Sequence, residues 1–311
     1  MKLSLVVPCY NEEGNVHDFY NCVKSCFENK IDDYEIVFVN DGSSDKTLDR
    51  LKELTANPFP ALQIVSFSRN FGKEAALYAG LSHSKGDRVC IIDADLQQRP
   101  EVVLRMMAHM DEKPEYDCIT AYQEQRKEGK LITFLKSSFY KVINKVSEVD
   151  FVNGASDFRL MKRNMVNAIL SMTEYHRFSK GIFSWIGFNT MYIPYEVEER
   201  NTGTTKWGTR KLFNYALSGI MAFSTAPLRL ASFVGFASAI LAVIYMITVI
   251  VQKLAFGIVI PGYATIIVLL LLIGGLILFC LGIMGEYLAK MYVQMKNRPI
   301  YIEKEYFEND K

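Results

Sequence analysis

Val89-Cys90-Ile91-Ile92-Asp93-Ala94-Asp95-Leu96-Gln97 is the most informative segment of the chain. A short apolar, largely β-branched run passes directly into two carboxylates one residue apart, and Pro100 follows soon after. Such a run reads as a strand covered on both faces, the usual state of a strand in a parallel sheet. Its abrupt polar end reads as the C-terminal edge of that sheet, where open α/β folds place their ligands. Two neighbouring acids raise each other's pKa unless a cation compensates them. A divalent ion carrying a diphosphate would do so, and hard oxygen donors suit Mg²⁺ or Mn²⁺. A solvated turn that merely holds two aspartates is the plainer alternative, so the surrounding sequence must decide.

Upstream the same alternation repeats. Residues 3–7 form a first predicted strand, stopped by Pro8, with Asn11 as cap of a helix starting at Glu12-Glu13. Residues 34–39 form a second, ending in Asn40-Asp41-Gly42-Ser43-Ser44-Asp45, a turn that caps a helix over 46–56. Residues 62–67 are a third strand, 71–84 have helical periodicity, and 117–121 are a fifth strand after the central one. Strands alternating with helices predict a mostly parallel sheet with helices on both faces. The glycine-rich dinucleotide fingerprint is missing from the first strand–helix turn. Tyr10 and Asp41, both at strand ends, could instead hold a base and a ribose hydroxyl, or serve as ordinary turn residues.

The chain has 311 residues and a formal net charge of +1, which argues against a nucleic-acid binder. Cys9, Cys22, Cys26, Cys90, Cys118 and Cys280 form no CxxC pair and read as reduced thiols of a cytosolic compartment. Met1-Lys2 leads directly into the first strand, so no signal peptide is expected. Residues 230–252 and 254–285 carry no charge at all. About twenty apolar residues cross a bilayer as a helix, which gives two expected spans near 230–251 and 263–284. Arg229, Lys290, Lys296 and Arg298 flank their outer ends, while the connection carries only Lys253. The positive-inside rule then puts the large N-terminal region and the tail in the cytoplasm, at the cell membrane. In 131–146, apolar residues at helical spacing interleave with Lys136, Lys141 and Lys145, so this segment either lies on a membrane surface or packs on the sheet. Residues 212–223 are a similar candidate.

Taken together, Val-Pro-Cys-Tyr-Asn-Glu-Glu, Val-Asn-Asp-Gly-Ser-Ser-Asp and Asp-Ala-Asp-Leu-Gln resemble the inverting family 2 glycosyltransferases of the GT-A fold. Ala155-Ser156-Asp157-Phe158-Arg159-Leu160-Met161, Arg200 followed by Thr-Gly-Thr-Thr-Lys-Trp, and Phe223-Ser224-Thr225-Ala226-Pro227 are similar to the polyprenyl-phosphate subgroup. That subgroup includes dolichyl-phosphate mannose synthase and bacterial bactoprenol glucosyltransferases. The resemblance implies a GT-A domain over 1–206, a juxtamembrane amphipathic helix over 207–228, a two-helix transmembrane hairpin over 229–289 and a cytoplasmic tail over 290–311. It implies that Pro8, Tyr10, Glu12, Val39, Asp41, Ala94 and Arg126 line the nucleotide pocket. Asp93, Asp95 and Gln97 would hold Mg²⁺ or Mn²⁺, and Arg200 and Lys206 would grip the donor diphosphate and acceptor phosphate. Asp157 matches the family's catalytic base. It could equally order the acceptor phosphate through Arg159 or the cation, or accept backbone donors in a structural role. Two departures stand out: the loop Gln123–Lys130 is shorter, with one arginine, and Gln98-Arg99 replaces the usual Asp-Pro.

The implied reaction moves a monosaccharide from a nucleotide sugar, with UDP expected over GDP, to undecaprenyl phosphate, and the resemblance is compatible with a homotetramer. A processive polysaccharide synthase would need more spans and a Gln-x-x-Arg-Trp motif, whereas Tyr175-His176-Arg177-Phe178-Ser179-Lys180 stands in that region. A non-catalytic scaffold or flippase component would need intramembrane polar residues that the two apolar stretches lack.

Overall fold

The computed structural model describes residues 2–123, 155–196, 221, 223–256 and 262–309. Its centre is four parallel strands: β1 (Leu3–Cys9), β2 (Tyr34–Asn40), β3 (Ala61–Phe67) and β4 (Arg88–Ile91). They belong to an eight-stranded sheet of order β7-β5-β6-β4-β1-β2-β3-β8. Strands β5 (Cys118–Gln123) and β7 (Thr190–Tyr195) share the direction of the central four, whereas β6 (Ala155–Lys162) and β8 (Glu303–Glu308) oppose it. The sheet is therefore mostly parallel, as the alternation of elements implies.

Side chains alternate between the two faces. Leu3, Leu5 and Val7 of β1 join Ile36, Phe38, Leu62 and Ile64 on one face, which α1 (Val16–Phe27), α2 (Thr47–Leu54) and α4 (Pro100–Glu112) cover. Val6, Val89 and Ile91 point to the other face, against α3 (Lys73–His83), α5 (Arg163–Ser171) and α6 (Ser179–Trp185). Because both faces are covered, the strands are apolar at nearly every position, which is why the opening stretch reads as it does. Gly80 of α3 has no room for a side chain: a Cβ there would lie 2.3 Å from Val6 Cγ1. The absent side chain lets α3 lie close to the sheet, and its first turn reaches the rim where the carboxylates stand.

Several local expectations change. Pro8 does not stop the first strand; it pairs with Val39 in register. Pairing with β4 ends at Val6↔Ile91, so β1 has a partner on one side only at Pro8, and a missing N–H is tolerated there. Asn11 is not a helix cap. It has φ of 54° and its side chain accepts the Ser44 N–H at 2.9 Å, while α1 begins at Val16.

Two long apolar helices follow the sheet domain, α7 (Ala226–Phe256) and α8 (Tyr263–Met295). Their apolar side chains stand exposed over most of their length, which fits a lipid environment and not a soluble core. Both outrun the expected spans. Helix α7 takes in the end of the 207–228 segment, most of which lies outside the described residues. The segments 131–146 and 212–220 also lie outside them.

The segment 290–311, expected as a tail, begins within α8 and ends in the sheet. Helix α8 runs on to Met295, and residues 303–308 return to the sheet as β8, antiparallel to β3. Lys52 and Lys85 pair with Glu305 and Glu308 at 2.8 and 2.9 Å, and the Asn309 side chain accepts the Leu62 N–H at 2.6 Å. The chain enters the hairpin from the sheet domain and comes back to the same domain, so both ends of the hairpin lie on one side.

Candidate active site

Register assembles the site. Cys9 pairs with Asn40, and the Ile92 N–H donates to the Val6 carbonyl at 3.1 Å, so the turns after β2, β1 and β4 sit side by side at one rim. The first two turns are stitched together. Asn11 N–H donates to Ser43 Oγ at 3.0 Å, Glu12 N–H to Thr47 Oγ1 at 2.8 Å, and Lys46 N–H to Glu13 Oε2 at 2.9 Å. This rigid pair of turns presents Tyr10, 41 % exposed, at the rim. Pro8 and Val39 lie in the adjoining strands, with Val39 buried. The Glu12 carboxylate accepts the Asn15 side-chain amide at 2.6 Å.

Asp41 does more shaping than the sequence suggests. It is buried and accepts the Phe71 N–H at 2.6 Å and the Gly72 N–H at 2.9 Å. Burial pushes its pKa up, and these backbone donors, with Arg69, pull against that. Gly42, at φ +59°, permits the close approach: a Cβ there would lie 2.3 Å from the Arg69 carbonyl carbon. Asp41 thus fixes the loop that launches α3, and the next residue is Lys73.

The ammonium of Lys73 lies 2.8 and 3.1 Å from the two carboxylate oxygens of Asp93, and 3.4 Å from Asp157 Oδ2. The antiparallel register of β4 and β6 ends at Ile91↔Arg159, which brings the turn holding Asp93 beside the start of β6 that holds Asp157. Burial disfavours the Lys73 charge, but Asp93 and then Asp157 outweigh it and hold its pKa above the ordinary lysine value. Burial likewise pushes Asp157 up, and Lys73, Lys180 and Arg159 overcome this and leave it below the usual carboxylate range. An aspartate so stabilised in its charged form is a weak base, so its geometry suits orientation and charge placement. Arg159 is buried, stacks on the Phe183 ring at 3.7 Å and donates to the Ser156 carbonyl at 2.9 Å.

Asp93 has a second support. Gln98 Oε1 accepts the Asp93 N–H at 2.9 Å, and Gln98 Nε2 donates to Asp93 Oδ2 at 3.1 Å. Asp95 accepts the Gln97 N–H at 3.2 Å across a tight turn in which Leu96 has φ of 57°, and Ala94 is buried beneath it. Among the described residues no three His, Cys, Asp or Glu side chains cluster as a closed metal cage. Two carboxylates and an amide on one turn nonetheless fit Mg²⁺ or Mn²⁺, which keep water and phosphate ligands and need one or two protein carboxylates. The counter-ion that the two acids demanded is supplied for Asp93 by the chain itself.

Glu74, beside Lys73, accepts the Ser179 N–H at 2.9 Å and the Ser179 hydroxyl, tying the start of α6 to the start of α3. Burial and then the Asp157 charge push its pKa up to about 7, against the Ser179 donors. Sequence reasoning missed Lys73, Glu74, Ser179 and Lys180, and noted Gln98 only as a departure from the family pattern. One signal was available: Lys73 stands in the first turn of a helix, where the dipole disfavours a cation. Arg126, Arg200 and Lys206 lie outside the described residues.

Residues 4–170 match Glycosyl transferase family 2, and residues 226–291 match the GtrB C-terminal hairpin. The putative glycosyltransferase CsbB of Bacillus subtilis is 43 % identical over 303 residues, covering 97 % of this chain and 91 % of its own. The prophage bactoprenol glucosyl transferase homolog of Escherichia coli is 41 % identical over 307 residues, covering 98 % and 99 %. The crystal structure of mannosyl-3-phosphoglycerate synthase from Rubrobacter xylanophilus superimposes with a TM-score of 0.50 at 18 % identity, over 71 % of this chain and 72 % of its own. That likeness concerns the fold of the sheet domain. The chain is an enzyme of the family 2 glycosyltransferases.

Proposed function

We propose that this glycosyltransferase moves a monosaccharide, with inversion, from a nucleotide sugar to a polyprenyl phosphate at the cytoplasmic face of the cell membrane. The observation that carries the reading is the placement of Asp93 and Asp157 across Lys73, at the rim of a sheet that the apolar hairpin both leaves and rejoins. A soluble donor and a lipid-borne acceptor need such a site held near a bilayer. The full-length likeness to a bactoprenol glucosyl transferase homolog supports the acceptor class, and UDP is the first nucleotide to test.

Asp93, Asp95 and Gln97 would hold Mg²⁺ or Mn²⁺, which when bound neutralises charge growing on the diphosphate leaving group. Tyr10, Glu12, Asp41 and the strand ends at Pro8 and Val39, with Ala94 and Arg126, form the nucleotide side. Arg200 and Lys206 add fixed positive charge for the phosphates. The acceptor oxygen is an ionised phosphate at neutral pH, so it needs placement more than deprotonation. Asp157, with Lys180 and Arg159 beside it, supplies that placement on the acceptor side. The cationic ends of the hairpin, Arg229, Lys290, Lys296 and Arg298, set the domain in the cytoplasm by the positive-inside rule.

The deciding assay incubates membranes holding the protein with undecaprenyl phosphate, Mg²⁺ and a panel of labelled sugar nucleotides. Label appearing in a lipid-soluble product with one donor is the expected result. Label released only as free sugar, with every donor, would refute the lipid acceptor.

A further inference from the structure

We propose that Lys73 is an internal counter-ion that bridges Asp93 and Asp157, and that a divalent cation arriving at Asp93 displaces it fully onto Asp157. The inference rests on the metal reading above and adds to it a positioning residue and an order of events.

The geometry is specific. One ammonium contacts two carboxylates from different elements, Asp93 in the turn after β4 at 2.8 Å and Asp157 in β6 at 3.4 Å. Its backbone is fixed, because Asp41 holds the Phe71 and Gly72 N–H groups immediately before it. Its side chain is 43 % exposed and has the long flexible stem of a lysine, so the head can shift without the helix moving. The helix dipole does not favour a cation at this place, since the first turn of α3 presents its positive end. The two carboxylates therefore hold it.

A divalent ion held by Asp93 would compete with Lys73 for that carboxylate, since two like charges at such range repel strongly in a partly buried site. Gln98 stays on Asp93 and keeps that carboxylate in place while its partner changes. Asp157 is the remaining anion within reach. With Lys73 drawn onto it, Asp157 no longer repels an anionic acceptor, and Lys180 is left to attract the phosphate. Metal-loaded donor should then bind before acceptor.

The test uses the full chain in detergent micelles, with Mn²⁺ alone titrated and followed by electron paramagnetic resonance; thermal melting reports folding. Lys73→Met should bind Mn²⁺ about tenfold more tightly than wild type, because the competitor for Asp93 is gone, and Lys73→Arg should stay near wild type. Unchanged or weaker binding by folded Lys73→Met overturns the proposal. Where Lys73→Met does not fold, Lys73→Gln, which is polar but uncharged, reads the same quantity. Asp157→Asn should weaken Mn²⁺ binding several-fold more in wild type than in Lys73→Gln, because only in wild type does its loss return Lys73 to Asp93. Equal effects in both backgrounds overturn the bridge. Mn²⁺ bound by no variant, even with UDP present, removes the metal reading as a whole. Mn²⁺ bound equally by wild type and Lys73→Met removes this inference alone.

Discussion

Gln98 holds Asp93 from two directions, accepting its backbone N–H at 2.9 Å and donating to its carboxylate at 3.1 Å. The pair fixes both where the chain turns after β4 and which way the carboxylate faces. Outer partners of metal ligands typically tune affinity by tenfold to a hundredfold. Gln98→Ala should raise the Mg²⁺ concentration needed for half-maximal transfer by about that factor, with the donor KM at saturating Mg²⁺ little changed. Metal titrations of initial rate check it. An unaltered Mg²⁺ requirement would show that the brace has no bearing on the ion.

Asp95→Asn keeps the size of the side chain and its place on the turn but removes a charge. Transfer should fall by at least about a hundredfold if that charge binds the ion. The variant should melt within a few degrees of wild type, because Asp95 stands on the rim and not in the core. Unchanged turnover would take Asp95 out of the site.

Glu74 makes stability depend on pH with a definite sign. Its folded-state pKa is raised to about 7, so its contribution is fully present below the ordinary glutamate value and is lost as pH rises towards 7. Between about pH 4.5 and pH 7 the wild-type protein should therefore lose stability relative to Glu74→Gln, which cannot ionise. The difference between the two melting-temperature profiles isolates this group. Parallel profiles across that window would mean that Glu74 ionises as freely folded as unfolded.

Asn309 closes the sheet at its far edge. Its side chain accepts the Leu62 N–H at 2.6 Å and donates to the Asn57 and Pro60 carbonyls at 2.7 and 2.9 Å. Asn309→Ala leaves the buried Leu62 N–H and Pro60 carbonyl unpaired, at a cost of about 1–3 kcal/mol. Chemical denaturation of the detergent-solubilised protein should show the loss, and faster proteolysis near the C-terminus should accompany it.

The return of the tail also decides how the membrane anchor should be tested. Truncation after Arg229 removes the hairpin and β8 together, so it strips the sheet of an edge strand as well as its anchor. A flexible linker in place of residues 230–295 keeps β8. That protein should retain donor hydrolysis or transfer to a short-chain acceptor, and use long-chain polyprenyl phosphate at least about tenfold less well, since the second binding event loses its effective concentration. Equal use of both acceptors would show that the hairpin does not position the site.

Local pattern suffices to read the alternating elements of the sheet domain, the rim carboxylates Asp93 and Asp95, and the two apolar helices. These are local signals: apolar runs bounded by turns, a charge pair ending a strand, and uncharged stretches long enough for a bilayer. Local pattern does not show that Lys73 reaches Asp93 and Asp157, that Gln98 braces Asp93, or that Glu303–Glu308 completes the sheet from beyond the membrane hairpin. Each depends on strand register and chain return, which bring together residues up to 253 positions apart in the case of Lys52 and Glu305. Periodicity in a sequence reports which face a residue takes, and it holds no record of which distant residue that face meets.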